Sequence, residues 1–353
     1  MKRLFIGLVA LLTLSTGQAH DLTRMMNEVV PSVVYIRVDS FVMRDQLNSE
    51  TKLVERVRIP TTPIIGTGFV IQGSRVVTNQ HVVDFAIKNN TDINVTFKDS
   101  NQRYKATVIG YDKIADVAVL QIPGEHPGVK IEVETELQMG DPVFSISHFY
   151  GIGWSATQGT VSSNDRRDTR YPYINNLQLQ LLQGSGSSGG PVFNEKGNVV
   201  GLNRSIVSMF PRGSVPTGRG SSMLSMVGYP VRADTLVQSI LKILEDKIVV
   251  YLDLDVSLIE FGHESPFHLN YASGTTDYPV GVMVLNVDKD AETTLKATDI
   301  IISIDGNTFT DPVDLYEWLN TQSKFKAGDT VNVQVYRDTE IINIAVPLTM
   351  AGL

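Results

Sequence analysis

The chain has 353 residues, with 30 Lys and Arg against 38 Asp and Glu, and a formal charge of −8 at pH 7. A hydrophobic fraction of 42% beside 19% charged residues excludes a disordered chain, and the length allows roughly two or three domains. The acidic balance argues against a nucleic-acid partner, which would be met by clustered Lys and Arg. There is no cysteine, so disulfides, thiolate zinc sites, iron–sulfur clusters and a cysteine nucleophile are excluded.

The first nineteen residues read as a signal peptide. Lys2 and Arg3 precede an apolar run from Leu4 to Leu14, and Gly17-Gln18-Ala19 fits a small-x-small cleavage site. The run falls short of the 18 or so apolar residues of a membrane span. The expectation is therefore an exported, periplasmic protein starting near His20, with no membrane span after cleavage; an uncleaved anchor is the alternative.

From Val29 to Pro230 short β-prone runs alternate with turn residues, as in 32–38, 68–71, 93–97 and 117–122. That texture predicts an all-β barrel or sandwich. Residues 43–60 are charged and read as an exposed insertion. Next, 233–244 carries apolar residues at 236, 237, 240, 241 and 244, the stripe of a helix that docks on the preceding barrel. The last hundred residues mix strands at 249–256, 280–287, 300–304, 331–336 and 341–346 with two helices. One helix is capped by Asp311 ahead of Pro312 and runs through 313–321; a shorter one covers 291–296.

The sharpest chemical signal is Gly184-Ser185-Gly186-Ser187-Ser188-Gly189-Gly190-Pro191. A flexible linker has this composition, yet apolar β-runs flank it on both sides and a hairpin turn at 194–198 follows. Glycines framing Ser188 let the backbone aim N–H groups of Gly186 and Ser188 into one concavity, the requirement of an oxyanion hole.

A serine nucleophile needs a base, and six histidines are available. His20, His263 and His268 stand at the new N-terminus or in the C-terminal unit, and His126 reads as a loop residue. His148 ends a strand near a Gly-rich turn and stays open as a candidate. His81 follows the strand of Val76-Val77-Thr78 directly. Asp116, just ahead of Val117-Ala118-Val119-Leu120, reads as a buried carboxylate in need of a partner such as an imidazole. Its competitor Asp112 reads as an exposed turn residue.

The order His81, Asp116, Ser188 is that of the chymotrypsin-like proteases. With Gly66-Thr67-Gly68-Phe69-Val70-Ile71, Thr78-Asn79-Gln80-His81-Val82-Val83, Asp116-Val117-Ala118-Val119-Leu120 and Gly186-Ser187-Ser188-Gly189-Gly190-Pro191, the chain resembles the HtrA (Deg) serine proteases. The resemblance implies a mainly β fold: a chymotrypsin-like double β-barrel over 20–230, a helical linker over 231–248, and a small α+β PDZ domain over 249–353. His81 would be the general base, Asp116 its orienting partner and Ser188 the nucleophile. Gly186, Ser187 and Ser188 would line the oxyanion hole, and Leu181, Leu182 and Gln183 would help shape an apolar specificity pocket. The resemblance also implies an ATP-independent serine endopeptidase for unfolded or misfolded exported proteins, assembled as a homotrimer or a multiple of it. No metal or organic cofactor is implied.

The chain departs from the family pattern at several points. Ser187 stands where Asn is usual, Ser185 replaces Pro, and Ser225-Met226-Val227-Gly228-Tyr229 is poor in glycine. Within Tyr251-Leu252-Asp253-Leu254, the PDZ loop for a peptide's C-terminal carboxylate, Asp253 replaces glycine and predicts weak, internal or absent peptide binding. The altered residues at 185 and 187 leave a second expectation open, a latent or inactive peptide-binding, chaperone-like module.

Overall fold

The computed structural model describes residues 23–48, 53–100, 102–134, 136–149, 151, 153–167, 174–206, 225–261, 279–289, 291–322 and 324–351. The signal-peptide expectation, His20, His263 and His268 lie outside them. Two compact units form, one mainly from residues up to Lys247 and the other mainly from Ile248 onward.

The first unit holds two six-stranded barrels. Strands β1 (Val33–Val38), β4 (Ile64–Gln72), β5 (Arg75–Thr78), β6 (Ile93–Phe97), β7 (Tyr104–Asp112) and β8 (Val117–Gln121) make the first, in the order β7-β6-β1-β4-β5-β8 and closed by β7 on β8. Along β1, Val34, Ile36 and Val38 alternate inward, the period-2 pattern of a half-buried strand, and meet Val70, Val76, Val95 and Leu120. Between β1 and β4, β2 (Phe41–Leu47) and β3 (Val54–Pro60) form a separate, largely exposed ribbon. The charged, exposed insertion is thus a pair of antiparallel strands.

The second barrel closes β10 (Gly153–Arg167), β11 (Asn175–Gln183), β14 (Ser225–Arg232), β13 (Val199–Ile206), β12 (Pro191–Phe193) and β9 (Pro142–Phe149). Leu177, Leu179 and Leu181 fill it from one face of β11, each contributing roughly 1.5–3 kcal/mol by burial. Helix α1 (Gln80–Asn89) follows β5, and α2 (Ala233–Asp246) follows β14. As expected, α2 docks on its own barrel unit, against β8, β13 and β14. Its buried stripe is Ala233, Leu236, Ser239, Ile240 and Ile243, however, and Leu241 faces solvent. The buried face is thus turned toward Ala233, Ser239 and Ile243 relative to the sequence expectation.

The second unit begins with β15 (Ile248–Val249) and β16 (Tyr251–Asp253). Its main sheet runs β17 (Val256–Phe261), β18 (Gly281–Val287), β19 (Ile300–Ile304), β21 (Thr330–Arg337), β22 (Glu340–Pro347), with β20 (Asn307–Thr308) beside β19. Strand β23 (Thr349–Ala351) pairs with β16. Helix α3 (Pro312–Thr321) starts where Asp311 accepts the Val313 N–H at 2.6 Å, the cap foreseen in the sequence. The helix expected over 291–296 is instead irregular chain. Thr293 and Thr294 spend their hydroxyls on the Leu295 amide and the Ala345 carbonyl, bonds that compete with a helical turn.

Asp299 is buried, and Arg337 reaches both its oxygens, Nε to Oδ1 at 2.7 Å and Nη2 to Oδ2 at 2.6 Å. Replacing Arg337 with Met leaves that carboxylate uncompensated. The expected loss is about 3–5 kcal/mol, read as a lowered urea midpoint for the second unit with the first unit unaffected.

Candidate active site

Helix α1 starts at Asn79, whose side chain does not cap it. Asn79 Nδ2 instead donates to the Asp116 carbonyl at 2.8 Å, and the Gln80 N–H does so at 3.3 Å. The capping role passes to Asp116. Its Oδ1 accepts the His81 N–H at 2.9 Å, and its Oδ2 lies 2.7 Å from His81 Nδ1. First-turn amides of a helix lack intrahelical acceptors, and a carboxylate there is favoured by the helix dipole. One carboxylate therefore fixes both the backbone and the ring of His81.

Asp116 reaches this pose with φ +58, in the left-handed region that Asp tolerates better than most residues. Its side chain is 11% exposed and that of His81 49%, so the carboxylate is sheltered while the imidazole stays accessible. Asp112, expected in an exposed turn, is fully buried, and it accepts the Ala115 N–H at 2.9 Å. It serves the turn that delivers Asp116.

Ser188 lies on the turn between β11 and β12. Gly186 and Gly189 take φ +92 and +80, conformations open to glycine. A Cβ on Gly189 would overlap the Thr67 carbonyl and the Thr78 hydroxyl, so this turn is pressed onto the segment leading to His81. Thr67 ties it further: its N–H donates to the Ser188 carbonyl at 2.8 Å and its hydroxyl to the Gly186 carbonyl at 2.7 Å.

The Ser187 N–H donates to the Gly184 carbonyl at 3.0 Å, and its hydroxyl does so at 2.7 Å. Ser187 thus closes the turn and is spent as an oxyanion-hole donor. Among the described residues the amides of Gly186 and Ser188 have no acceptor, which leaves two donors where three were expected. Leu181 likewise does not line a pocket; strand alternation sends it into the barrel core. Gln183 is buried and donates to Asn203 Oδ1 at 2.7 Å, and Leu182 is partly exposed.

Sequence reasoning missed three contributors. Thr67 and Asn79 stand in the segments that carry the resemblance, where neither was given a role. Arg204 on β13 had no local signal. Its side chain is 9% exposed, and its Nε lies 3.9 Å from the Asp116 Oδ2 that also holds His81.

Residues 66–202 match the trypsin-like peptidase domain model, and residues 257–348 match the PDZ domain model. Protease Do-like 1, chloroplastic, of Arabidopsis thaliana is 28% identical over 92% of this chain and 71% of its own length. A probable periplasmic serine endoprotease DegP-like of Pseudomonas fluorescens is 30% identical over 79% of this chain, which spans 55% of that relative. In fold, the HtrA-type protease AlgW with decapeptide aligns with a TM-score of 0.68 and 19% identity, over 94% of this chain and 98% of that one. The class is thus a serine endopeptidase of trypsin-like fold followed by one PDZ domain. The chain's curated relatives and structural neighbours are named as HtrA and DegP-like serine proteases.

His148, the rival base, packs its ring 4.2 Å from Tyr35 and 5.5 Å from Trp154 between centroids. Its buried Nδ1 has no hydrogen-bond partner among the described residues, and burial holds its pKa below the usual histidine value. His126 stacks on Phe97 at 4.6 Å, away from these groups in role. Because the folded state resists protonating His148, the unfolded state binds the extra proton first. The stability this gives is present above about pH 6.5 and lost as pH falls through the lowered folded value. Urea midpoints of the peptidase unit should fall from pH 7 to pH 5, and His148→Phe should flatten part of that fall relative to the parent chain.

Proposed function

We propose that the chain is an ATP-independent endopeptidase for unfolded or misfolded exported proteins, with Ser188 as nucleophile, His81 as general base and Asp116 as its orienting partner. The observation that carries this reading is the two-oxygen hold of Asp116 on the His81 amide and ring. With Nδ1–H committed to Asp116, the basic nitrogen is Nε2. Ser188 Oγ attacks the scissile carbonyl carbon while its proton passes to Nε2, and the oxyanion that forms is met by the Gly186 and Ser188 amides. The C–N bond then breaks as the imidazolium gives that proton to the leaving amine. Water, deprotonated by His81 in turn, hydrolyses the acyl-enzyme and restores Ser188.

Half-exposure of His81 suits a base that must meet a polypeptide in solution. The leader-like residues 1–19 and the periplasmic relatives support action outside the cytoplasm. Assembly as a homotrimer belongs to the same proposal, as do substrate side chains bound near Leu182 and Gln183.

A fluorophosphonate should label the chain stoichiometrically at Ser188, and Ser188→Ala should abolish both labelling and casein hydrolysis. Asp116→Asn should lower kcat by about 10⁴, since the imidazole loses its correct tautomer. Unchanged hydrolysis by Ser188→Ala would sink the assignment.

Arg204 adds a second outcome. A guanidinium beside Asp116 opposes positive charge building on the imidazole during proton transfer. Arg204→Met is expected to raise kcat up to about tenfold with KM unchanged, equal to ~1.4 kcal/mol at the transition state. A fall in kcat at unchanged thermal stability would instead make Arg204 a support of the carboxylate.

A further inference from the structure

The PDZ unit offers two recognition elements for a peptide. One is the sheet edge: β17 ends the main sheet and has a neighbour only in β18 among the described residues. An edge strand can pair with an added extended chain. The other is the loop of Tyr251, Leu252, Asp253 and Leu254, whose backbone amides would capture a terminal carboxylate. In this chain the amides of Leu252 and Leu254, and that of Asp255 beside them, are already taken. Asp253 Oδ1 accepts the Leu254 N–H at 2.6 Å and the Asp255 N–H at 3.0 Å. The Leu252 N–H goes to Asn320 Oδ1 at 2.7 Å, and Asn320 Nδ2 returns to the Leu252 carbonyl at 3.1 Å.

The Asp253 carboxylate is also anchored from α3. Tyr316 is buried, and its hydroxyl donates to the same Oδ1 at 2.9 Å. A side-chain carboxylate therefore sits on the loop's donors as a peptide's terminal carboxylate would. The surroundings disfavour a second negative charge. Asp288 donates its N–H to the Asp255 carbonyl at 3.0 Å, and burial together with Asp253 and Asp255 holds its carboxyl above the usual range.

We propose that Asp253 is a specificity-determining residue that closes the PDZ groove to free C-termini and leaves β17 to pair with internal extended segments of unfolded chains. The loop is built to hold an anion, and the protein supplies that anion itself. A free carboxylate would have to displace Asp253 from three donors while approaching two further carboxylates. An internal segment needs only the backbone groups of β17 and meets no such barrier. This rests on reading 251–254 as the carboxylate loop of the PDZ domain.

Binding is measured with the full chain carrying Ser188→Ala, so the result holds whether or not Ser188 is the nucleophile. The probes are pooled fluorescent decapeptides ending in Val, Leu or Phe, each prepared as the C-terminal acid and as the amide. The chain with native Asp253 should bind acid and amide pools within about twofold, whereas Asp253→Gly should prefer the acid pool by about tenfold or more. Asp253→Ser, which shortens the side chain without freeing the backbone, is measured beside it and should show the same preference should the glycine variant unfold. A strong acid preference with native Asp253 would overturn the proposal. So would no acid preference in either folded variant, or no binding of either pool with native Asp253.

Discussion

The peptidase unit depends on one carboxylate held in a left-handed turn. Asp116 caps α1 through the His81 amide and grips the His81 ring with its other oxygen. Its carbonyl takes Asn79 and Gln80, so backbone and side chain of the same residue fix the start of the helix. A histidine on a free helix terminus would sample several rotamers. Here the angle of the ring is set by the same bonds that begin the helix, and the cost of ordering it is met during folding rather than at each turnover.

The barrels hold these loops together without disulfides. The connection between them is polar and buried: the Thr67 hydroxyl donates to the Gly186 carbonyl and accepts the His148 N–H, and the Thr78 hydroxyl donates to the Thr67 carbonyl. Asn203 joins the web, accepting Gln183 and donating to Ser145. Each group is satisfied where water cannot reach, and losing one partner would strand the other at about 1–3 kcal/mol. The web carries stiffness into the Ser188 turn that a purely apolar contact would not, because hydrogen bonds fix direction as well as distance.

Much of this was visible in the chain itself, for physical reasons that differ by region. The barrels show because β1 and the Leu177–Leu181 stretch of β11 alternate cleanly, and α3 shows because Asp311 and Pro312 are strong start signals. His81, Asp116 and Ser188 were legible as residue types in local frames. The internal commitment of Ser187, the burial of Asp112 and the inward turn of Leu181 were not, since each is decided by long-range packing or by a turn's bond pattern. Arg204 was the least visible. A cation on a β-strand reads as solvent-facing until the fold places it at Asp116.

Arg204 and Asp253 share a logic despite their different units. Each places a full charge beside a site whose work depends on charge of the same sign: positive charge forming on an imidazole, and a negative terminus entering a loop of amides. Neither charge sits on a solvated surface. Arg204 is nearly enclosed, and Asp253 holds two amides and a buried tyrosine hydroxyl. The fold is that of a trypsin-like peptidase domain followed by a PDZ domain, and these two charges sit where local electrostatics, rather than the path of the chain, sets what the surrounding groups can do.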